Sequence, residues 1–118
     1  MSSVLLVDDE SMIVDVLATM LTSYGHEVVS TNDSTDAQRL IDERRFDLFL
    51  FDLRMPHVSG AELAETVRQR WPDATVLIMT GFPDDPLAAR AMRSGVAALV
   101  KKPFEIGKIL THLNNGTS

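Results

Sequence analysis

Short apolar runs alternate along the chain with longer segments in which apolar residues recur at three- and four-residue steps. A short apolar run bounded by turn signals is typical of a buried strand, and the longer spacing is typical of an amphipathic helix. The pattern therefore predicts five strands, each followed by a helix. The predicted strands are Val4–Val7, Val28–Thr31, Phe46–Phe51, Thr75–Met79 and Ala97–Lys101.

Capping residues mark the ends of several predicted helices. Gly25 follows the first helical segment where a C-terminal cap belongs. Asp85 precedes Pro86, which is the pattern of an N-cap followed by proline at the first helical position. The predicted helices run from Met12 to Tyr24, from a cap at Asp33 or Ser34 past Ile41, from Gly60 to near Trp71, from Pro86 to Gly95 and from Ile106 to Leu113.

The order of these elements predicts the fold class. Strands that alternate with helices imply βαβ units, a parallel sheet and helices on both of its faces. We expect an α/β, doubly wound, five-stranded sheet with five helices, in the flavodoxin-like order 2-1-3-4-5. Periodicity does not fix that order, which is chosen as the commoner one for five units. The 118 residues suit one domain, with residues 114–118 expected to form a flexible tail.

Composition excludes several classes of function. The chain has no cysteine, which excludes disulfides, thiolate zinc sites and thiol catalysis. Its net charge of −6 disfavours direct binding to nucleic acid. Its apolar runs are too short to span a membrane, and its start lacks the features of a signal peptide, so we expect a cytoplasmic domain. His26, His57 and His112 have no partners at metal-ligand spacing and are expected at the surface.

Polar residues follow four of the five predicted strands. Asp8 and Asp9 follow the first strand, Asp52 the third, Thr80 the fourth and Lys102 the fifth. In the predicted order the first and third strands are neighbours, so three carboxylates share the crevice in which such sheets bind ligands. Such a cluster repels itself unless some of the carboxylates ionise reluctantly or a cation lies among them. Oxygen ligands without histidine or cysteine favour Mg²⁺ as that cation. The hydroxyl and the ammonium suit an anion such as a phosphoryl group.

The motifs around these residues resemble the receiver domain of bacterial two-component response regulators. The resemblance covers essentially the whole chain, and five motifs in the expected order are more specific than any one of them. The matching pieces are Val7-Asp8-Asp9-Glu10, Asp52-Leu53-Arg54-Met55-Pro56, Gly60, Met79-Thr80-Gly81 and Lys102-Pro103-Phe104.

The resemblance implies a role for each carboxylate of the crevice. Asp52 would be the phosphoacceptor. Asp9 and Asp52 would ligate Mg²⁺ together with the backbone carbonyl of Arg54, and Asp8 would assist through a water molecule. A carboxylate is a chemically suitable nucleophile for this purpose, because it can accept a phosphoryl group as an acyl phosphate.

The resemblance also implies partners. Thr80 and Lys102 would bind the phosphoryl oxygens, and the Lys102-Pro103 peptide bond would be cis. The phosphoryl group would come from a sensor histidine kinase or a phosphotransfer protein. The domain would signal to an output domain or a downstream protein by a shift of the face formed by the fourth helix, fifth strand and fifth helix. A homodimer could also form through this face. It would catalyse only its own phosphorylation and dephosphorylation.

One position departs from the family pattern. Leu99 occupies the place, three residues before the lysine, where the family commonly has an aromatic switch residue, so we expect this face to respond differently. The alanine-rich fourth helix has two open interpretations, a weakly packed surface helix or a mobile face that a partner contacts.

Two other functions use similar residues. A phosphorylation-independent interaction module could have the same fold, but the complete set of polar residues at the strand ends argues against it. A Mg²⁺-dependent phosphatase of the haloacid dehalogenase type also has an aspartate after a strand. That chemistry needs a second carboxylate two residues later, where this chain has Arg54.

Overall fold

The computed structural model describes residues 1–102 and 106–114, and in it five strands alternate with five helices. The expected cis bond at Lys102-Pro103, the Phe104 position and the expected flexibility of residues 115–118 lie outside the described residues. The elements are β1 (Ser3–Val7), α1 (Ser11–Ser23), β2 (Glu27–Thr31), α2 (Ser34–Glu43), β3 (Leu48–Asp52), α3 (Gly60–Arg70), β4 (Thr75–Thr80), α4 (Pro86–Arg93), β5 (Ala98–Lys101) and α5 (Ile106–Asn114).

The five strands form one parallel sheet in the order β2-β1-β3-β4-β5, which confirms the predicted topology. Two apolar clusters cover its two faces. Alternate strand residues such as Leu5 and Phe49 pack against α2, α3 and α4, while their neighbours Leu6 and Leu50 pack against α1 and α5. Because both faces are covered, the central strands β1, β3 and β4 are buried along nearly their whole length rather than alternating, whereas edge strand β2 is partly exposed.

Strand register brings the polar ends of the strands to one edge. Val7 of β1 pairs with Phe51 of β3, and Asp52 pairs with Met79 of β4. In a parallel sheet all carboxyl ends lie at the same edge, so the residues that follow these pairs face one crevice. None of the described helices has the length and apolarity needed to cross a bilayer.

The third strand begins two residues later than predicted and includes Asp52. Phe46 precedes the strand but is still buried, with its ring edge-on to Phe49 at a centroid distance of 5.6 Å. Asp47 turns outward and accepts the backbone N–H of Ser3 at 2.8 Å. The apolar run therefore predicts the buried segment correctly but overestimates how much of it is strand.

The prediction for the apolar face of α1 was partly wrong. Met12 and Tyr24, which fit the three- and four-residue spacing, are 77% and 60% exposed. The residues that α1 buries are Val14, Leu17 and Leu21. Apolar residues on this helix occupy more than one stripe, and their spacing does not say which stripe faces the sheet.

The expectation that all three histidines lie at the surface was also wrong for His26. This residue is 7% exposed, and its Nδ1 accepts the backbone N–H of Ser2 at 3.2 Å. The contact satisfies a polar ring in a buried position. His57 is exposed, as expected, and His112 is half-buried.

Candidate functional site

The crevice at the carboxyl edge of the sheet contains a cavity of about 390 Å³. It lies between the ends of β1, β3, β4 and β5, and polar side chains line it together with Leu53, Gly81 and Phe82. The lining residues are Asp9, Glu10, Asp52, Leu53, Arg54, Thr80, Gly81, Phe82 and Lys102.

Asp52 ends β3 and is 7% exposed. The start of α3 packs directly on its backbone: a Cβ atom on Gly60 would lie 2.3 Å from the Asp52 carbonyl oxygen, so only glycine fits there. A capping box formed by Ser59 and Glu62 fixes where α3 begins, because each side chain accepts a backbone N–H of the other residue, at 3.1 and 3.2 Å. These residues hold the Asp52 end of β3 in place, and the capping box was not among the sequence predictions.

Three carboxylates meet beside Asp52. One oxygen from each of Asp8, Asp9 and Asp52 lies within 4.8 Å of the others. Asp8 is fully buried and accepts the backbone N–H of Glu10 at 3.0 Å, whereas Asp9 is exposed. Such a cluster of hard oxygen ligands, open on one side, could hold a divalent cation.

Lys102 contacts two of these carboxylates. Its Nζ lies 2.9 Å from Asp8 Oδ2 and 3.0 Å from Asp52 Oδ1, with Glu10 farther away at 3.7 Å. The Lys102 backbone N–H donates to the Thr80 carbonyl at 2.9 Å, which ties the residue to the end of β4. Lys102 therefore places one positive charge at the base of the crevice.

Burial beside a second carboxylate raises the pKa of Asp52 to about 7. Burial is the main cause, since it disfavours the charged form, and the negative charge of Asp8 adds to it; together they outweigh the attraction of Lys102. For Lys102, burial lowers the pKa, but hydrogen bonds to Asp8 and Asp52 and their charges raise it more, so it stays positive. At neutral pH the site therefore favours an additional cation or a proton.

Thr80 ends β4 and is 4% exposed. Its Oγ1 accepts the backbone N–H of Phe82 at 3.0 Å and lies 3.3 Å from the Phe82 carbonyl oxygen. The hydroxyl is thus engaged with the loop that follows β4, while the residue lines the same cavity as Asp52.

The side chain of Arg54 leaves the carboxylates and forms an ion pair with Asp85. Its Nε donates to Asp85 Oδ2 at 2.8 Å, and its Nη2 donates to Asp85 Oδ1 at 2.7 Å. This hydrogen bonding lowers the pKa of Asp85 and raises that of Arg54. The sequence predicts a role for the Arg54 backbone carbonyl and places its side chain two residues after Asp52, but nothing local in the sequence indicates a partner 31 positions away.

Comparison with known proteins identifies the family. The family model described as "Response regulator receiver domain" matches residues 4–114. The response regulator protein FleR of Pseudomonas aeruginosa is 34% identical over 109 residues, which are 92% of this chain and 23% of that protein. A response regulator receiver protein of an Anaeromyxobacter species is 35% identical over 106 residues, 90% of this chain and 44% of that protein. The chain thus spans less than half the length of these curated relatives.

A solved structure extends the similarity to three dimensions. A response regulator protein from Burkholderia pseudomallei, crystallised with a phosphorylated aspartic acid, a calcium ion and citrate, superposes with a TM-score of 0.86 at 26% identity. The match covers 98% of this chain and 68% of that one. Sequence, topology and the crevice agree: the chain belongs to the response regulator receiver domains, the phosphoacceptor domains of two-component signalling.

Proposed function

We propose that Asp52 is the residue that accepts the phosphoryl group, with Thr80 and Lys102 as its catalytic partners and Mg²⁺ as its cofactor. The observation that carries this proposal is the convergence of Lys102 Nζ on Asp8 and Asp52, at 2.9 and 3.0 Å, beside a third carboxylate. Asp52 is the member of the cluster that both lines the cavity and contacts the lysine.

The transfer requires a nucleophile and a leaving group. A carboxylate oxygen of Asp52 attacks phosphorus, so that an O–P bond forms while the P–N bond of a phosphohistidine breaks. The imidazole leaves with the bonding electron pair and is neutral because its other ring nitrogen carries a proton. With acetyl phosphate the P–O bond breaks and acetate leaves.

The carboxylates suit a metal. Asp9 and Asp52, with the backbone carbonyl of Arg54, would hold Mg²⁺, and Asp8 would act through a water molecule. When bound, the ion supplies charge neutralisation for the phosphoryl oxygens. The oxygen-only donor set and the unneutralised carboxylates fit this ion, and the calcium ion in the Burkholderia protein is a divalent cation of the same ligand preference.

Lys102 and Thr80 would stabilise the other phosphoryl oxygens. The Lys102 ammonium is already in contact with Asp52 and needs little movement to donate to a group attached there. The Thr80 hydroxyl would have to turn away from Phe82 to donate to the phosphoryl group. That turn would move the loop after β4 and transmit phosphorylation toward α4.

The reverse reaction restores the resting protein. Water attacks phosphorus, the Asp52 O–P bond breaks, the carboxylate is regenerated and inorganic phosphate leaves. We therefore propose a signalling domain that catalyses only its own phosphorylation and dephosphorylation, not turnover of a separate substrate.

The partners follow from this chemistry. A histidine kinase or a phosphotransfer protein would supply the phosphoryl group in the cytoplasm, and an output domain or a downstream protein would respond. The responding face would be α4, β5 and α5, which could also form a homodimer. Leu99 of β5 is half-buried on this face and replaces the usual aromatic residue.

Intact mass measurement after incubation with acetyl phosphate and Mg²⁺ tests the proposal. The wild type and an Asp42→Asn variant, which removes an exposed carboxylate on α2, should both gain the mass of one phosphoryl group. The Asp52→Asn variant should gain none, and chelation of Mg²⁺ should abolish the gain. Equal modification of Asp52→Asn, or none in the wild type, would refute the assignment of Asp52.

A further inference from the structure

Helix α4 combines little apolar burial with several charged contacts to the rest of the domain. It buries only Ala88 and Ala91, and Leu87 is half-buried. Small side chains contribute little apolar area, so polar contacts have a large share in fixing this helix.

The C-terminal half of α4 is attached to α3 by two arginines. Arg68 of α3 donates from Nε to the Ser94 carbonyl at 3.2 Å and from Nη2 to the Gly95 carbonyl at 2.9 Å. Arg90 of α4 forms a bidentate ion pair with Glu65 of α3 at 2.7 and 2.8 Å. Neither contact involves a residue that lines the Asp52 cavity.

The N-terminal end of α4 is attached differently, through Asp85. One carboxylate oxygen of Asp85 caps the helix by accepting the Leu87 backbone N–H at 2.9 Å, and both oxygens accept hydrogen bonds from Arg54. Arg54 lies two residues after Asp52, and both residues line the same cavity. The loop that follows Asp52 is therefore joined directly to the start of α4.

We propose that the Arg54–Asp85 ion pair is a phosphate-sensitive latch: a phosphoryl group on Asp52 draws the Arg54 guanidinium away from Asp85 and frees the N-terminal end of α4. Arg68 and Arg90 continue to hold the C-terminal end, so the helix pivots there. The inference rests on the proposed phosphorylation of Asp52.

Charge and geometry both favour this exchange of partners. The Arg54 side chain is 65% exposed, so water and salt weaken its attraction to Asp85. A phosphoryl group brings roughly 1.5 to 2 negative charges and three acceptor oxygens into the cavity that Arg54 lines. Guanidinium groups bind phosphate oxygens in the same bidentate geometry with which Arg54 binds Asp85. After the exchange Asp85 still caps Leu87, so the helix is released without unfolding.

Hydrogen exchange measured by mass spectrometry on the full chain tests the latch, with intact mass used to quantify phosphorylation by acetyl phosphate and Mg²⁺. In the wild type, phosphorylation should speed exchange in residues 83–89 by roughly two- to fivefold, the range expected for loss of an exposed ion pair. Residues 90–95 should not change.

Two variants supply the controls. Asp85→Asn keeps an N-cap acceptor but loses the charge that holds Arg54, so residues 83–89 should exchange faster before phosphorylation and show no further increase after it. Glu65→Gln removes the Arg90 ion pair and should retain the phosphorylation-dependent increase at residues 83–89.

The outcomes separate this inference from the proposed function. If no phosphoryl mass appears, both fail. If the mass appears and residues 83–89 respond equally in the wild type and Asp85→Asn, Asp52 is phosphorylated but Arg54 is not the latch. A wild-type response spread evenly over residues 83–95 would refute the pivot.

Discussion

Replacement of Asp52 by asparagine should stabilise the protein, although it removes the proposed functional residue. The substitution keeps the size of the side chain and removes one of three clustered negative charges. The pKa of Asp52 rises from 3.8 to about 7 in the folded protein, mainly through burial. A shift of about 3 units at about 1.36 kcal/mol per unit sets an upper limit of about 4 kcal/mol for the cost of ionised Asp52.

The pH dependence has a defined direction. Between pH 3.8 and about 7 the folded protein retains the Asp52 proton that the unfolded chain has lost, so stability falls as the pH rises through this range. Above pH 7 the full cost is present. We expect Asp52→Asn to gain about 2 kcal/mol in free energy of unfolding at pH 8, half the upper limit, because solvent and buffer ions that reach the crevice reduce the cost of the charged carboxylate. At pH 5 the gain should be less than half of that at pH 8.

Urea denaturation in a chelating buffer at pH 5 and pH 8 measures this difference. A gain of 2 kcal/mol corresponds to an increase of roughly 1 M in the urea midpoint. Mg²⁺ should narrow the gap at pH 8, since a cation that binds the folded wild type stabilises it by mass action. Equal stability of the two proteins at pH 8, or a difference in stability that does not change with pH, would show that the ionised Asp52 carboxylate does not destabilise the folded protein.

Two further predictions concern the support of β3, the strand that ends at Asp52. Gly60→Ala should lower the free energy of unfolding by about 2 to 3 kcal/mol, measured with heat or urea, and should slow phosphorylation by acetyl phosphate. The reason is that the added Cβ would lie 2.3 Å from the Asp52 carbonyl oxygen. Wild-type stability would contradict this prediction. Ser59→Ala should lower the free energy of unfolding by about 1 kcal/mol, because the N-cap of α3 is lost. Ser59→Asp restores a capping oxygen and should recover most of that stability. Equal destabilisation by both substitutions would argue against the cap.

Sequence alone predicted the layout of the fold because each element carries its own local signal. The five apolar runs are strands, and Asp85 caps α4 as expected. The polar residues that were predicted to share a crevice also do so, since parallel strands end at one edge and Lys102 contacts both Asp8 and Asp52.

Features that depend on packing were not predictable in the same way. The buried face of α1 is set by how the helix lies on the sheet, and so the exposure of Met12 was missed. His26 is buried, and the partner of its ring is the backbone N–H of Ser2, which is distant in sequence. The Arg54–Asp85 ion pair joins two loops and leaves no local pattern. The Ser59–Glu62 capping box, by contrast, has a recognisable sequence signature that could have been used.

The strand register has a consequence for how the chain can change in length. Val7 and Phe51 are paired, and a carboxylate follows each. One residue inserted within β1 or β3 would turn every later side chain of that strand to the opposite face and separate Asp8 from Asp52. Insertions in the connections at the amino ends of the strands leave this pairing intact. The domain is therefore expected to tolerate insertions and deletions at one edge of the sheet and to resist them at the other.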